Sequence, residues 1–207
     1  MFSRWLVSYG QPPIITVRKR DKHKNILTLE QHCLINRCLP SLAYGYKKCS
    51  LKFKVAPQDR YCNNWQPARD TWKRGEKVVK YIGYDAEEDR RAKIAEDKKY
   101  TYQYPLIEWR WGRDECKAAI TRVGLPQPGK SACFFCPSAK AQEVVSLAKT
   151  HPTLMQRALV IESYAELRTV QGLGRRFAWR DLVDADEGQI AFWDDSEIEQ
   201  TCGCYDG

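Results

Sequence analysis

The chain has 207 residues, enough for one or two domains whose core needs no disulfide bonds to hold it. Its 43% hydrophobic and 29% charged residues exclude a disordered, collagen-like or low-complexity chain, and no apolar run approaches the roughly 18 residues of a membrane span. Lysine and arginine outnumber the acidic residues 34 to 26, and the net charge of +8 indicates either anionic partners, such as nucleotides, sulfate, phosphate or nucleic acid, or a solvated basic surface.

Strand and helix patterns alternate in the first half of the chain. Short β-branched runs predict the strands, and capping-box or proline patterns predict where the helices begin. The predicted strands are 14–17 and 77–84, and the predicted helices are 28–38, 55–65 and 85–98. This alternation is typical of an α/β fold with a parallel sheet, so we interpret residues 1–110 as an α/β domain.

The second half of the chain is mainly helical around a loop rich in Gly, Pro and Cys at 127–137. A short extended piece is predicted before it, at 104–108. The predicted helices are 113–123, 139–150 and 152–170, and the tail from residue 172 is less regular. We therefore interpret residues 111–207 as a helical C-terminal region that surrounds a cysteine loop.

Nine cysteines are the most informative feature of the sequence. The number is odd and no secretion signal is predicted, so metal-bound or reactive thiols in a reducing cytoplasm fit better than a disulfide framework. Cys133 and Cys136 form a C-x-x-C pair, in which two thiolates of one loop reach a shared metal ion or cluster. The alternatives are a thioredoxin-like redox pair or two ordinary buried thiols.

The other cysteines divide into two groups. Cys202 and Cys204 form a second close pair, which either chelates a metal or presents an attacking thiol. Cys49 lies among four lysines, which favour its thiolate, although a core cysteine beside a basic surface is the alternative. We expect the remaining four to be small apolar core residues; they are Cys33, Cys38, Cys62 and Cys116.

Three segments, in order, resemble the phosphoadenosine phosphosulfate (PAPS) reductase-like family of the PP-loop, or adenine nucleotide α-hydrolase, superfamily, especially its phage and bacterial members. Residues 49–57 are similar to the family's Cys-Cys-x-x-x-Lys-x-x-Pro stretch, and residues 104–109 to its Pro-Leu-x-x-Trp segment. Residues 125–137 are similar to its Cys-x-x-Cys-Pro/Thr loop. The resemblance covers about residues 40–140 and implies a partial Rossmann-like parallel sheet, followed by helices around a cysteine metal site.

The sequence departs from the family at two nucleotide-binding elements. It has no Ser-Gly-Gly-x-Asp-Ser loop, whose backbone N–H groups hold a pyrophosphate, so either a separate chain supplies this PP-loop or nucleotide hydrolysis is lost. The family's Gly-x-Arg-x-x-Glu-Ser element corresponds to residues 83–89, where Asp85 replaces the arginine. An aspartate repels a phosphosulfate, so PAPS itself is not the expected substrate.

The resemblance also implies a metal centre. Cluster-bearing members hold a [4Fe–4S] cluster with a Cys-Cys and a Cys-x-x-Cys pair, but here Ser50 follows Cys49. The implied ligands are Cys49, Cys133, Cys136 and Cys204, with Cys202 as the substitute for Cys204. Four thiolates suit zinc as well as an iron–sulfur cluster, so the choice between these metals stays open.

Four further residues receive roles from the same resemblance. Thr201-Cys202-Gly203 is similar to the catalytic Glu-Cys-Gly of the reductases, which would make Cys202 the nucleophile. Lys52 and Lys54 would neutralise an adenine nucleotide or other anionic substrate, and Arg91 would bind it as a planar fork.

Two functions follow from these patterns. The first is a PAPS reductase-like enzyme or enzyme subunit in sulfur or nucleotide chemistry: an oxidoreductase, a sulfurtransferase or a nucleotide hydrolase. The alternative is a non-catalytic, zinc-stabilised module that binds nucleic acid or a protein. The missing phosphate loop, the basic charge, and the 7 Trp and 11 Tyr available to stack on bases motivate the alternative, although we expect most of these aromatic rings to pack in the core.

Overall fold

The computed structural model describes residues 2–93, 97–128 and 132–185. The protein is a mixed α/β structure, about 52% helical, with a small parallel sheet of two strands in this part of the chain. None of the helices described is both long enough and apolar enough to cross a membrane.

The chain forms two compact units, and each contains residues from both predicted domains. The first, which we call the sheet unit, contains residues 2–17, 58–93 and 97–128. The second, which we call the cysteine unit, contains residues 18–57 and 132–185.

Most of the regular structure is helical. The α-helices of the described residues are α1 (Phe2–Ser8), α2 (Leu29–Ile35), α3 (Lys48–Ser50), α4 (Ala56–Asn64), α5 (Gln66–Lys73), α6 (Pro105–Glu108), α7 (Arg113–Arg122), α8 (Ala141–Thr150), α9 (Pro152–Tyr164) and α10 (Trp179–Asp184). Two short 3-10 helices lie at Ser41–Tyr44 and Ala86–Arg91, and a π-helical segment, Leu51–Val55, joins α3 to α4.

The sheet unit contains the strands β1 (Val78–Tyr81) and β2 (Tyr100–Gln103), which run parallel with Val78 opposite Tyr100. The Trp72 ring of α5 meets the Tyr100 ring edge to face, and its Nε1–H donates to the Lys99 carbonyl. One face of β1 is exposed at Val79 and Tyr81.

The cysteine unit has the larger apolar core, to which α2, α8, α9 and α10 contribute. Its fully buried side chains include Cys33, Val144, Ile161, Leu173, Trp179 and Leu182. The capping box predicted at the start of α2 is confirmed, because the Gln31 N–H donates to Thr28 Oγ1 and the Thr28 N–H donates to Gln31 Oε1.

Helices were easier to predict than strands. The predicted helices near 55–65, 113–123 and 139–150 are confirmed, and the one at 152–170 ends earlier, at Tyr164. The strand predicted at 77–84 is confirmed as the shorter β1.

Three predictions of local structure are wrong. Residues 14–17 form no strand, and the side chains of Ile14 and Ile15 are exposed instead of buried in a sheet. Residues 105–108 are helical because Pro105, which has no N–H to leave unpaired, begins a turn of helix. The helix predicted from Asp85 to 98 is a 3-10 helix that ends at Arg91, although Asp85 does cap it by accepting from the Glu87 N–H at 3.0 Å.

Candidate functional site: a cluster of thiols

Cys49 lies on a helix with an irregular hydrogen-bond pattern. Pro57 has no N–H to donate, and its ring crowds the carbonyl of Phe53, so regular α-helical bonding cannot continue through this turn. The N–H of Ala56 donates to the carbonyl of Leu51 instead, which gives the π-helical segment. Such segments are frequent at functional sites. Upstream of it, the backbone N–H of Cys49 donates to Ser41 Oγ at 2.7 Å, which fixes the start of the helix.

Cys133 and Cys136 lie on a tight turn before α8. The N–H of Cys136 donates to the carbonyl of Cys133 at 3.1 Å. Phe135 is buried in the core and anchors the turn there, while Cys133 is exposed. Cys136 is buried, and its Sγ lies 3.0 Å from Ser138 Oγ. The turn therefore leaves one thiol of the C-x-x-C pair exposed to solvent and buries the other.

The turn and α2 share contacts with one arginine. The Arg157 guanidinium of α9 lies 4.8 Å from the centre of the Phe134 ring. The same guanidinium forms an ion pair with Glu30 of α2, in which Nε donates to Oε1 at 2.9 Å. Arg157 thus connects the turn that carries Cys133 to the helix that carries Cys33.

Three thiols of the cysteine unit, those of Cys38, Cys49 and Cys133, lie within electrostatic range of the buried Cys33 thiol, and we call these four residues the thiol cluster. Cys33 is only 1% exposed, and its thiol interacts electrostatically with the other three. Burial, above all, raises the pKa of Cys33 to about 12, and the neighbouring thiols add to that effect. No disulfide joins the seven cysteines that the structure describes.

The thiol cluster has the right donor atoms for zinc or an iron–sulfur cluster, but it does not form a closed ligand set. Within the described ranges, no three His, Cys, Asp or Glu side chains form a group that could hold a metal ion. Of the implied ligands, Cys49 and Cys133 both lie in the thiol cluster, and Cys136 is on the same turn as Cys133. Cys204 and its substitute Cys202 lie outside the described residues.

The two lysines predicted to bind an anion lie on the π-helical segment of the cysteine unit. Lys52 is exposed, and its ammonium donates to His32 Nε2 at 3.1 Å. Lys19 lies over the Phe53 ring, 5.4 Å from its centre, and acts on the same imidazole. Burial first, and then the charges of Lys52 and Lys19, lower the pKa of His32. These groups form a cationic surface beside the helix of Cys49.

An anion bound between Lys52 and Lys19 is expected to raise the pKa of His32, because it neutralises the charges that oppose protonation. Without an anion, His32 should titrate below its ordinary value of 6.5. The imidazole of His32 therefore binds a proton more readily in the unfolded chain than in the folded chain. As a result, the contribution of His32 to the free energy of unfolding is lost as the pH falls below 6.5. Imidazole NMR titrations of the full chain, with and without phosphate or AMP, measure the shift.

Lysine variants provide the control for this titration. Lys52→Ala should raise the pKa of His32 without any anion and should weaken the effect of added phosphate. Lys22→Ala removes an exposed lysine that is not among the causes of the His32 shift, and should leave both unchanged. A pKa of His32 that is insensitive to phosphate and AMP in the wild-type chain would exclude an anion site at Lys52.

Arg91 lies in the sheet unit and already has interactions within the chain. Its guanidinium forms an ion pair with Glu88 and lies 4.4 Å from the centre of the Tyr84 ring. Tyr84 is buried and stacks on Tyr104, with ring centres 6.0 Å apart. An anion at Arg91 would therefore compete with the carboxylate of Glu88.

Cys33 and Cys38 do not belong to the site that the sequence predicts. Cys33 is indeed buried in the core, as predicted, but its thiol also lies within electrostatic range of those of Cys38, Cys49 and Cys133. The signal that could have found them is their position at the end of the helix that Thr28 begins.

Comparison with protein-family models, curated proteins and solved structures gives no match to the chain.

Proposed function

We propose that the chain is a PAPS reductase-like enzyme or enzyme subunit in sulfur or nucleotide chemistry, with an iron–sulfur cluster or a zinc ion held by cysteines. One observation carries the proposal: Cys49 and Cys133, more than eighty residues apart in sequence, both lie within electrostatic range of the buried thiol of Cys33. A zinc ion or an iron–sulfur cluster that is held by thiolates of distant segments requires those thiols to meet.

The proposed ligands are Cys49, Cys133, Cys136 and Cys204. Because the described thiols do not form a closed set, the proposal requires the sulfur atoms to move together when the metal binds. Exposed Cys133 has room to do so, and the hydrogen bond of Cys136 to Ser138 would be exchanged for a metal bond. The bound metal would supply a structural or electrostatic centre close to the cationic surface at Lys52.

The substrate that fits this surface is an anion. The ammonium groups of Lys52 and Lys19 act together on one imidazole, which shows that their charges are concentrated in one place. Lys54, half-buried on the same π-helical segment, adds a third cation to the helix that carries Cys49. We propose an adenine nucleotide or another phosphate- or sulfate-bearing compound as the ligand.

The parallel pair β1–β2 supports the Rossmann-like part of the proposal. Parallel sheets usually have both faces covered and contain more than two strands. In the described residues this sheet has two strands, and Val79 and Tyr81 of β1 are exposed. We propose that a separate chain carrying the PP-loop supplies the missing strands and the phosphate-binding loop.

Metal analysis of the full chain, purified without oxygen, tests the central part of the proposal. We expect about one zinc ion or about one four-iron cluster per chain, and the iron form would be brown because of thiolate-to-iron absorption. Cys49→Ser and Cys133→Ser should each weaken metal binding at least about tenfold, since even outer-shell changes have effects of this size.

A cysteine outside the thiol cluster serves as the matched control. Cys62→Ser changes a cysteine of α4 in the sheet unit and should leave the metal content unchanged. Cys204→Ser decides whether the tail provides the fourth ligand. A reduced wild-type chain that takes up neither zinc nor iron with sulfide would contradict the proposed metal centre.

A further inference from the structure

The backbone at the end of α2 brings Cys33 and Cys38 side by side. The N–H of Cys38 donates to the carbonyl of Cys33 at 3.0 Å, and the N–H of Arg37 donates to that of Leu34 at 3.3 Å. Arg37 adopts a left-handed conformation with φ of 47°. These features define a Schellman motif around Asn36, the residue that caps the end of α2. In this motif, the side chain three positions before the cap often contacts the side chain two positions after it. Cysteines occupy both of these positions.

The rest of the cysteine unit holds this motif in place. The carbonyl of Arg37 accepts from the N–H of Glu166 at 2.8 Å, and their side chains form an ion pair at 3.2 Å. The Cys38 thiol is the neighbouring group that does most, after burial, to raise the pKa of Cys33. Cys33 is buried, whereas Cys38 is partly exposed and can meet a reagent from solution.

We propose that Cys33 and Cys38 are a two-electron redox site, a dithiol that a hydroperoxide converts into an intramolecular disulfide. The site is distinct from the proposed metal ligands, because neither cysteine belongs to that set.

The chemistry balances in two steps. The Cys38 thiol loses its proton, and the thiolate attacks the terminal oxygen of the hydroperoxide. The S–O bond forms, the O–O bond breaks, and the alkoxide takes up that proton and leaves as the alcohol. The sulfur is oxidised to a sulfenic acid while the hydroperoxide is reduced by two electrons. The Cys33 sulfur then attacks Cys38, the S–S bond forms, the S–O bond breaks, and water leaves with the thiol proton of Cys33.

Peptide mapping of the full chain tests the proposal directly. The reduced protein is treated with an alkyl hydroperoxide, alkylated with iodoacetamide and digested with trypsin, which cuts after Arg37 and so separates the two cysteines. We expect peptide 25–37 to be linked to peptide 38–47, the loss of two alkylatable thiols, and a mass decrease of about 2 Da that dithiothreitol reverses. Metal content measured on the same samples shows whether the proposed metal centre fails or holds independently.

Variants separate this pair from general thiol oxidation. Cys38→Ser should abolish the linked peptides and protect the buried Cys33 from oxidation and alkylation in the folded chain. Cys116→Ser, a change in the sheet unit, should leave the linkage intact. The proposal would be overturned if both peptides were recovered separately alkylated after oxidation, or if Cys38 were linked mainly to Cys49 or Cys133. Either result can be seen with the wild-type chain alone.

Discussion

Replacement of Glu162 by alanine is expected to lower the free energy of unfolding of the cysteine unit by about 3–5 kcal/mol. The Glu162 carboxylate is 7% exposed and accepts three backbone N–H groups, from Leu173 at 2.7 Å, Trp179 at 2.9 Å and Arg180 at 3.1 Å. It therefore caps the start of α10 and fixes the segment before it. Alanine would leave buried N–H groups without an acceptor, and each costs about 1–3 kcal/mol.

Urea unfolding followed by circular dichroism measures this effect. Glu162→Gln keeps one acceptor oxygen but loses the charge, so its cost should be smaller, about 1–2 kcal/mol. Glu166→Ala is the matched control, because that carboxylate is 62% exposed in its ion pair with Arg37, and its variant should be hard to distinguish from wild type. Equal midpoints for Glu162→Ala and Glu166→Ala would show that the buried carboxylate does not hold α10.

Replacement of Ile161 by alanine is expected to cost about 2–5 kcal/mol, through lost burial and the cavity that remains. Ile161 is 1% exposed in the core of the cysteine unit, where α9 packs on α8 and α10. Its neighbour Val160 is 45% exposed on the same helix. Val160→Ala removes little buried surface and gains helix propensity, so it should be neutral or slightly stabilising.

The comparison of these two variants uses the same unfolding experiment. Because the residues are adjacent and both changes end in alanine, a difference between them reports burial and not the new residue. Similar midpoints for the two variants would mean that the face of α9 which bears Ile161 is not packed in solution. Far-ultraviolet circular dichroism of the folded variants checks that the helix content is unchanged.

Much of the candidate site could be predicted from the sequence because its residue types are rare and closely spaced. The C-x-x-C pair, the lysines after Cys49 and the capping box at Thr28 are local patterns, and the structure places each of them in one unit. The role of Cys33 and Cys38 could not be predicted in the same way. A cysteine inside a helix pattern is most often an apolar core residue, and Cys33 is that as well as a neighbour of three other thiols.

By itself the sequence determined the properties that depend on short spacings: the amphipathic and capped helices, the basic charge, and the chemical character of the thiols. Only the tertiary structure decided which distant residues meet. Strand pairing and the thiol cluster both depend on contacts between segments far apart in sequence, and the free energy of such contacts comes from burial that no local pattern encodes. The run at 14–17 and the thiol cluster both depend on contacts with distant segments. Residues 14–17 pair with no strand in the described residues, whereas the thiol cluster contains cysteines from three segments of the chain.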